Sequence, residues 1–193
     1  IVTADPKLAQ RVRQLREHGS PARYSHTELG LNSRLDALQA AILRIKLKYL
    51  DRWNAQRRAV AHRYHQGLGS LPGVKLLQPL PESTPVWHQY TFRIQSCAAT
   101  PRCAENPCSE EGRSPHCRDW VKARLADQGI STMIYYPIPL HQQAVYQATP
   151  CRFSTLPITE QCTQEVLALP MYPELSEADQ ERVIQTLTQI LKG

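Results

Sequence analysis

Between Gly30 and Gly67 the chain contains neither glycine nor proline, and within that run Leu35, Leu38, Ile42, Ile45 and Tyr49 recur at alternating spacings of three and four. An α-helix brings every third or fourth side chain back to the same face, so the five apolar residues form one stripe. Ser33 stands three residues before Asp36, the signature of a capped helix start. The pattern therefore predicts one helix over residues 34–66, roughly 50 Å long at 1.5 Å per residue. Such a helix exceeds the width of a small domain and connects two layers. Burying its stripe would contribute on the order of 10 kcal/mol before the entropy of ordering is set against it.

The flanks divide into recognisable pieces. Asp5-Pro6 followed by Leu8, Val12 and Leu15 predicts a short helix with Asp5 as N-cap and Pro6 in its first turn, stopping near His18-Gly19. Ile1-Val2-Thr3 reads as the end of a strand whose neighbours lie upstream, and residues 20–31 read as a loop. Beyond Leu71-Pro72-Gly73, residues 74–77 and 86–94 have strand composition, 119–128 a helical pattern closed by Gly129, and 132–136 a third strand stopped by Pro137 and Pro139. Helices over 160–169 and 177–191 complete the order β-β-α-β-α-α, an α+β domain with a three-stranded sheet and helices on one face.

Composition narrows the classes of function. Hydrophobic residues at 41% and charged residues at 21% of 193 fit a soluble globular chain, and no apolar run has the length of a bilayer span. The net charge of +6 raises the question of an acidic partner. Lys46, Lys48, Arg57, Arg58 and Arg63, however, alternate with apolar residues at helical spacing, as on the solvated side of an amphipathic helix, and no zinc-finger or aromatic-basic motif accompanies them. The chain is read as binding neither nucleic acid nor membrane. No targeting segment is visible, and six cysteines without a secretory signal are expected to be reduced, as in a cytoplasmic protein. Cys97, Cys103, Cys108 and Cys117, with His116, offer soft ligands for zinc but lack paired Cys-x-x-Cys knuckles. Pro101, Pro107, Gly112 and Pro115 make residues 97–117 read as a mobile surface insertion that is not a metal site.

Six short blocks carry a resemblance. Arg16-Glu17-His18-Gly19, Gly30-Leu31-Asn32-Ser33-Arg34-Leu35-Asp36, Trp87-His88-Gln89-Tyr90, Gly129-Ile130-Ser131-Thr132, Tyr135-Tyr136-Pro137-Ile138-Pro139-Leu140-His141 and Leu169-Pro170-Met171-Tyr172-Pro173 occur in this order. They resemble blocks of the DegT/DnrJ/StrS family, aminotransferases that use pyridoxal 5'-phosphate (PLP) to aminate nucleotide-linked keto-sugars. The resemblance covers nearly the whole chain except residues 97–117. It implies an α+β small domain plus the long interdomain helix of a PLP fold-type-I, aspartate-aminotransferase-like α/β enzyme whose large domain is truncated. Residues 1–32 would end the large domain and supply a loop to the partner subunit, 33–70 the interdomain helix, and 71–193 the small domain. It further implies a cytoplasmic homodimer with active sites at the subunit interface and glutamate as amino donor.

The same resemblance implies roles for particular residues. The Asn32 amide would help hold the PLP phosphate of the neighbouring subunit, where a neutral donor beside a helix N-terminus suits an anion; on its residues alone, without the resemblance, Asn32 reads first as a helix cap. Arg34 has the planar fork of a phosphate or sugar-nucleotide clamp, or is a first-turn surface residue. His141 and Tyr135 are candidate contacts to the substrate; Tyr135 and Tyr136 alternate along their strand, so only one of the two can face the site. His18 and Tyr24, which flank the loop before Asn32, are weaker candidates for a substrate contact. PLP chemistry requires a lysine amine, which the family places upstream. Lys7, Lys46, Lys48, Lys75, Lys122 and Lys192 lie in polar helical or strand-edge contexts without a matching Ser-x-x-Lys block. No catalytic residue is therefore assigned, and a non-catalytic or split-gene subunit, or an inactive remnant, stands as the alternative to a working enzyme.

Overall fold

Helix α1, Pro6–Leu15, starts where the Asp5 carboxylate accepts the N–H groups of Lys7 and Leu8 at 2.8 and 3.3 Å. The computed structural model describes residues 1–22, 24–95, 117–147 and 155–192. It divides into two units, Ile1–Leu50 and Asp51–Gly193. The expected mobile insertion at 97–117 lies, apart from Cys117, outside the described residues.

In the first unit the chain doubles back after α1. The N–H of Leu31 donates to Leu15 O at 2.8 Å, that of His18 to Leu31 O at 3.0 Å and that of Ser33 to Arg16 O at 2.9 Å, around a bridge between Glu17 and Asn32. Two glycines permit this crossing, since a Cβ on Gly30 would overlap the Gly19 nitrogen and one on Gly19 would overlap the Glu28 carbonyl. Helix α2, Ala37–Leu47, follows.

The single long helix expected over residues 34–66 is corrected in three respects. It begins at Ala37, with Asp36 rather than Ser33 at the N-cap and no side-chain capping bond. At Lys48 and Tyr49 the N–H groups turn to Ile45 O and Lys46 O, three residues back instead of four, before helix α3 resumes over Leu50–Leu68. A tightened turn of this kind needs neither proline nor glycine, so the sequence pattern did not mark it. Finally, the apolar stripe is not buried in this chain: α2 has no buried residue, and Leu38 is 74% exposed.

The second unit has a continuous core. The later turns of α3 bury Val60, Ala61, Tyr64 and Leu68. Strands β1 (Val74–Leu76), β2 (Tyr90–Ile94) and β3 (Val166–Leu169) form an antiparallel sheet in that order, pairing Val74 with Ile94 and Tyr90 with Leu169. Tyr90, Phe92 and Ile94 alternate into the core as the two-residue strand period requires. Helix α4 (Cys117–Asp127) adds Val121 and Leu125, and helix α7 (Glu177–Lys192), which packs against it, adds Val183, Ile184, Leu187 and Leu191. Between α4 and β3 lie a 3-10 turn at Leu140–Gln142, the short helix α5 (Ala144–Gln147) and helix α6 (Pro157–Glu165).

Two expectations about the sheet are corrected. Residues 132–136 contribute only the isolated bridge from Met133 to Ala168, and the third strand is Val166–Leu169, where a helix running to 169 was expected. Val-Leu-Ala-Leu is an unbroken apolar run, and periodicity cannot separate a strand covered on both faces from a buried helical turn. The expectation of reduced thiols also meets an exception: Cys117 is disulfide-bonded, while Cys162 is free.

Candidate functional site

His18, Asn32 and Arg34, expected to serve one site, are brought together in the first unit. His18 adopts a left-handed backbone with φ of 63° and is followed by Gly19 at 71°. The Leu31 carbonyl and the imidazole of His26, whose Nδ1–H donates to His18 O at 3.0 Å, hold the turn in place. Arg34 Nε–H donates to Asn32 Oδ1 at 3.1 Å. A guanidinium can only donate, so the oxygen of the amide is the atom that faces it. The Asn32 NH2, which has no partner among the described residues, is the end available to an anion. Asn32 does not cap α2, since Asp36 occupies that position; the helix N-terminus expected beside it begins five residues later, at Ala37.

In the second unit a cleft of about 280 Å³ is lined by His88, Gln89, Ser131, Met133, Tyr135 and Met171, among others. Three of the sequence blocks plus Tyr135 of a fourth converge here. Met133 exchanges both backbone hydrogen bonds with Ala168, at 3.1 and 2.8 Å, which ties the 131–135 segment to the edge of β3. The two-residue alternation then turns Ser131, Met133 and Tyr135 to the same side. Trp87, at a left-handed φ of 49°, packs on Tyr90 and His65 with ring centroids 5.5 and 5.4 Å away, while the next two residues line the cleft. The opposite lip is fixed by the Tyr64 hydroxyl, which donates to Pro170 O at 3.0 Å. Burial pushes the phenols of Tyr64 and Tyr90 well above the ordinary tyrosine range, so both stay neutral. Tyr136 is 76% exposed and does not line the cleft.

His141 also lies outside the residues that line the cleft. Its side chain is only 11% exposed, and Nε2 lies 2.9 Å from Glu160 Oε1. The His141 bond, then the N–H of Leu156 at 3.1 Å, hold the Glu160 carboxyl below its ordinary value. Sequence reasoning missed Glu160, because nothing local links two residues 19 positions apart. It quoted His88 and Gln89 without assigning them, although their block was the available signal.

The fold is that of part of an aminotransferase. The chain belongs to the DegT/DnrJ/EryC1/StrS aminotransferase family, which it matches over residues 1–188. It is 38% identical over 189 residues, 98% of its own length and 44% of the relative's, to the dTDP-3-amino-3,4,6-trideoxy-alpha-D-glucose transaminase of Streptomyces venezuelae. Among solved structures it is similar to S. venezuelae DesV, with a TM-score of 0.82 and 38% identity over 100% of this chain and 46% of that one. NtdA from Bacillus subtilis, solved with bound cofactor PMP, gives a TM-score of 0.78 and 27% identity over 100% of this chain and 41% of that one. The architecture is therefore part of the PLP fold-type-I aminotransferase fold, and the chain spans about half the length of the curated relatives it matches. No helix among the described residues is long and apolar enough to cross a membrane.

Proposed function

We propose that this chain is the C-terminal part of a PLP-dependent aminotransferase that transfers an amino group from glutamate to a nucleotide-linked keto-sugar, acting as a homodimer. The observation that carries the reading is the convergence of blocks at positions 88–89, 131–135 and 169–171, all within the family match, on one cleft. In this reading residues 1–32 end the large domain and lend their loop to the partner subunit, the two-part helix over 33–70 joins the domains, and the remainder is the small domain.

The residues present fit the cofactor's phosphate. The oriented Asn32 NH2 would donate to it, as a neutral donor that brings no mobile counter-ion. When bound, PLP supplies the electron sink through which an amino group passes between donor and acceptor. Arg34, whose Nε is held by Asn32, keeps its terminal nitrogens for a phosphate of the nucleotide. His18 stands beside this loop, where its strained backbone fixes the direction of its side chain. Tyr135 presents a phenol that donates to or accepts from a sugar hydroxyl, in the cleft that Met133 and Met171 also line. His141, at the end of the Tyr135 segment, is the second residue assigned to a contact with the sugar.

The lysine that carries PLP is assigned to sequence outside these 193 residues. Lys7, Lys46, Lys48, Lys75 and Lys192 are exposed, and Lys122 is half-buried on α4 without lining the cleft. None has the desolvated pocket that lowers an amine's pKa for nucleophilic work. The test is incubation of the purified chain with PLP and glutamate, borohydride reduction and mass spectrometry. The expected result is no stoichiometric adduct on any lysine. One dominant pyridoxyl-lysine, accompanied by amino transfer to a keto-sugar nucleotide, overturns the assignment.

A further inference from the structure

The segment from Tyr135 to Gln147 carries two of the residues assigned above to the sugar, and a side chain from another element holds it. Among the described residues its last backbone tie to the sheet is at Met133, and the backbone bonds beyond it run from Gln142 to Pro139, Gln143 to Leu140 and Tyr146 to Gln143, within the turn itself. A side chain on α6 supplies an anchor from outside the turn. Glu160 Oε1 accepts from His141 Nε2 at 2.9 Å and from the N–H of Leu156 at 3.1 Å, and the Gln142 side chain also donates to this carboxylate. Leu156 is the N-cap of α6 and has no capping oxygen of its own, so the bond from Glu160 also closes the helix start. The link back from His141 to Tyr135 is short and stiffened by Pro137 and Pro139, whose rings fix φ. A displacement of His141 is therefore transmitted to Tyr135.

We propose that Glu160 is a positioning residue of the sugar site: its carboxylate fixes the His141 ring, and through the proline-stiffened link the Tyr135 phenol, against the start of α6. This rests on the reading of His141 and Tyr135 as sugar contacts. An ionised carboxylate can only accept, so Glu160 assigns the proton of a neutral His141 ring to Nε2 and sets its orientation. Glu160 touches no substrate in this scheme. Its effect falls on the binding of the keto-sugar and leaves that of glutamate alone.

The test is steady-state kinetics of the PLP-loaded holoenzyme with Glu160→Ala, Glu160→Gln, His141→Ala and the Glu160→Ala/His141→Ala double variant. Glu160→Ala is expected to raise KM for the keto-sugar nucleotide about tenfold, the loss of one charge-assisted hydrogen bond, with KM for glutamate unmoved. The double variant should be no worse than His141→Ala alone, and Glu160→Gln, which still offers an accepting oxygen, should recover part of the loss. A raised sugar KM in His141→Ala with a normal one in Glu160→Ala overturns the proposal and spares the reading of His141. A normal sugar KM in His141→Ala overturns that reading and the proposal with it. Additive effects in the double variant also overturn it, because they would assign Glu160 a separate structural role. If Glu160→Ala fails to fold, 13C NMR of the Glu160 carboxyl in the His141→Ala holoenzyme decides: its titration midpoint should rise toward the ordinary glutamate range, and an unmoved midpoint refutes the coupling.

Discussion

The two units of this chain are ordered by different means. In Ile1–Leu50 the only buried residue among those described is Gly19, and the shape is set by a cap, a few backbone hydrogen bonds and two close glycine contacts. In Asp51–Gly193 a core of Phe92, Leu125, Leu167 and Leu187, each fully buried, ties sheet to helices. The residues assigned to the cofactor phosphate thus sit on a scaffold with little apolar packing of its own, whereas the cleft sits on the core. A comparison of two leucines tests this division with the largest effects. Leu187→Ala should lower unfolding free energy by about 2–5 kcal/mol, the range for emptying a packed core site. Leu43→Ala on α2, 54% exposed, should fall within about 0.5 kcal/mol in this chain. Urea midpoints at constant m-value decide, and equal losses would break the comparison.

Ion pairs sharpen it. Arg93 and Glu165 meet at 2.7 Å with side chains only 13% and 11% exposed, and Gln161 donates to the same carboxylate. Arg93→Met strands that carboxylate in the core and should cost about 3 kcal/mol. One of the pairs in the first unit, Arg11 with Glu28 at 3.3 Å, leaves Arg11 68% exposed, so Arg11→Met should cost under about 1 kcal/mol. Raising salt should erase the smaller effect and leave most of the larger one.

The same contrast explains what the sequence disclosed. Signals that act within one turn were legible: Asp5 caps α1 as expected, and Gly129, with φ of 72°, follows α4. Signals that depend on distant partners were not. Val166–Leu169 is a strand because β2 lies beside it, and 132–136 is reduced to one bridge because Met133 meets only Ala168. The turn at Lys48 and Tyr49 interrupts a pattern with no breaker in it. For the candidate site, the blocks located the cleft, but only coordinates show that Arg34 orients Asn32 or that Glu160 occupies His141.

Asn32→Ala separates the two units at the level of function. Because Asn32 is exposed and its side chain, among the described residues, bonds Arg34 alone, its removal should leave the unfolding midpoint within error. In the PLP-loaded holoenzyme the same change should weaken PLP retention about tenfold, the loss of one hydrogen bond to an anion. Dialysis against apo-enzyme buffer, followed by absorbance of the retained cofactor, measures it. Unchanged retention would remove Asn32 from the phosphate site, and a large drop in stability would show that the first unit is packed after all.

The smallest effect expected is a dependence on pH that arises from Glu160 in the second unit. The Glu160 carboxyl is held below its ordinary value of 4.5, chiefly by the His141 hydrogen bond and then by the Leu156 N–H. A carboxyl with a depressed folded-state pKa contributes stability that is fully present above the unfolded value and is lost as pH falls through the folded one. The contribution of Glu160 should therefore be constant from neutral pH down to about that ordinary glutamate value, and disappear below it. In Glu160→Gln, which cannot titrate, the fall of the urea midpoint in that acidic window should be shallower than in the parent chain. Two carboxylates of the first unit, Asp5 and Glu28, supply an internal control, because Asp5→Asn and Glu28→Gln should leave the Glu160-dependent slope in place. If Glu160→Gln follows the parent curve at every pH, the carboxylate does not hold His141 in solution, and the attachment of the Tyr135–His141 segment must come from another side chain.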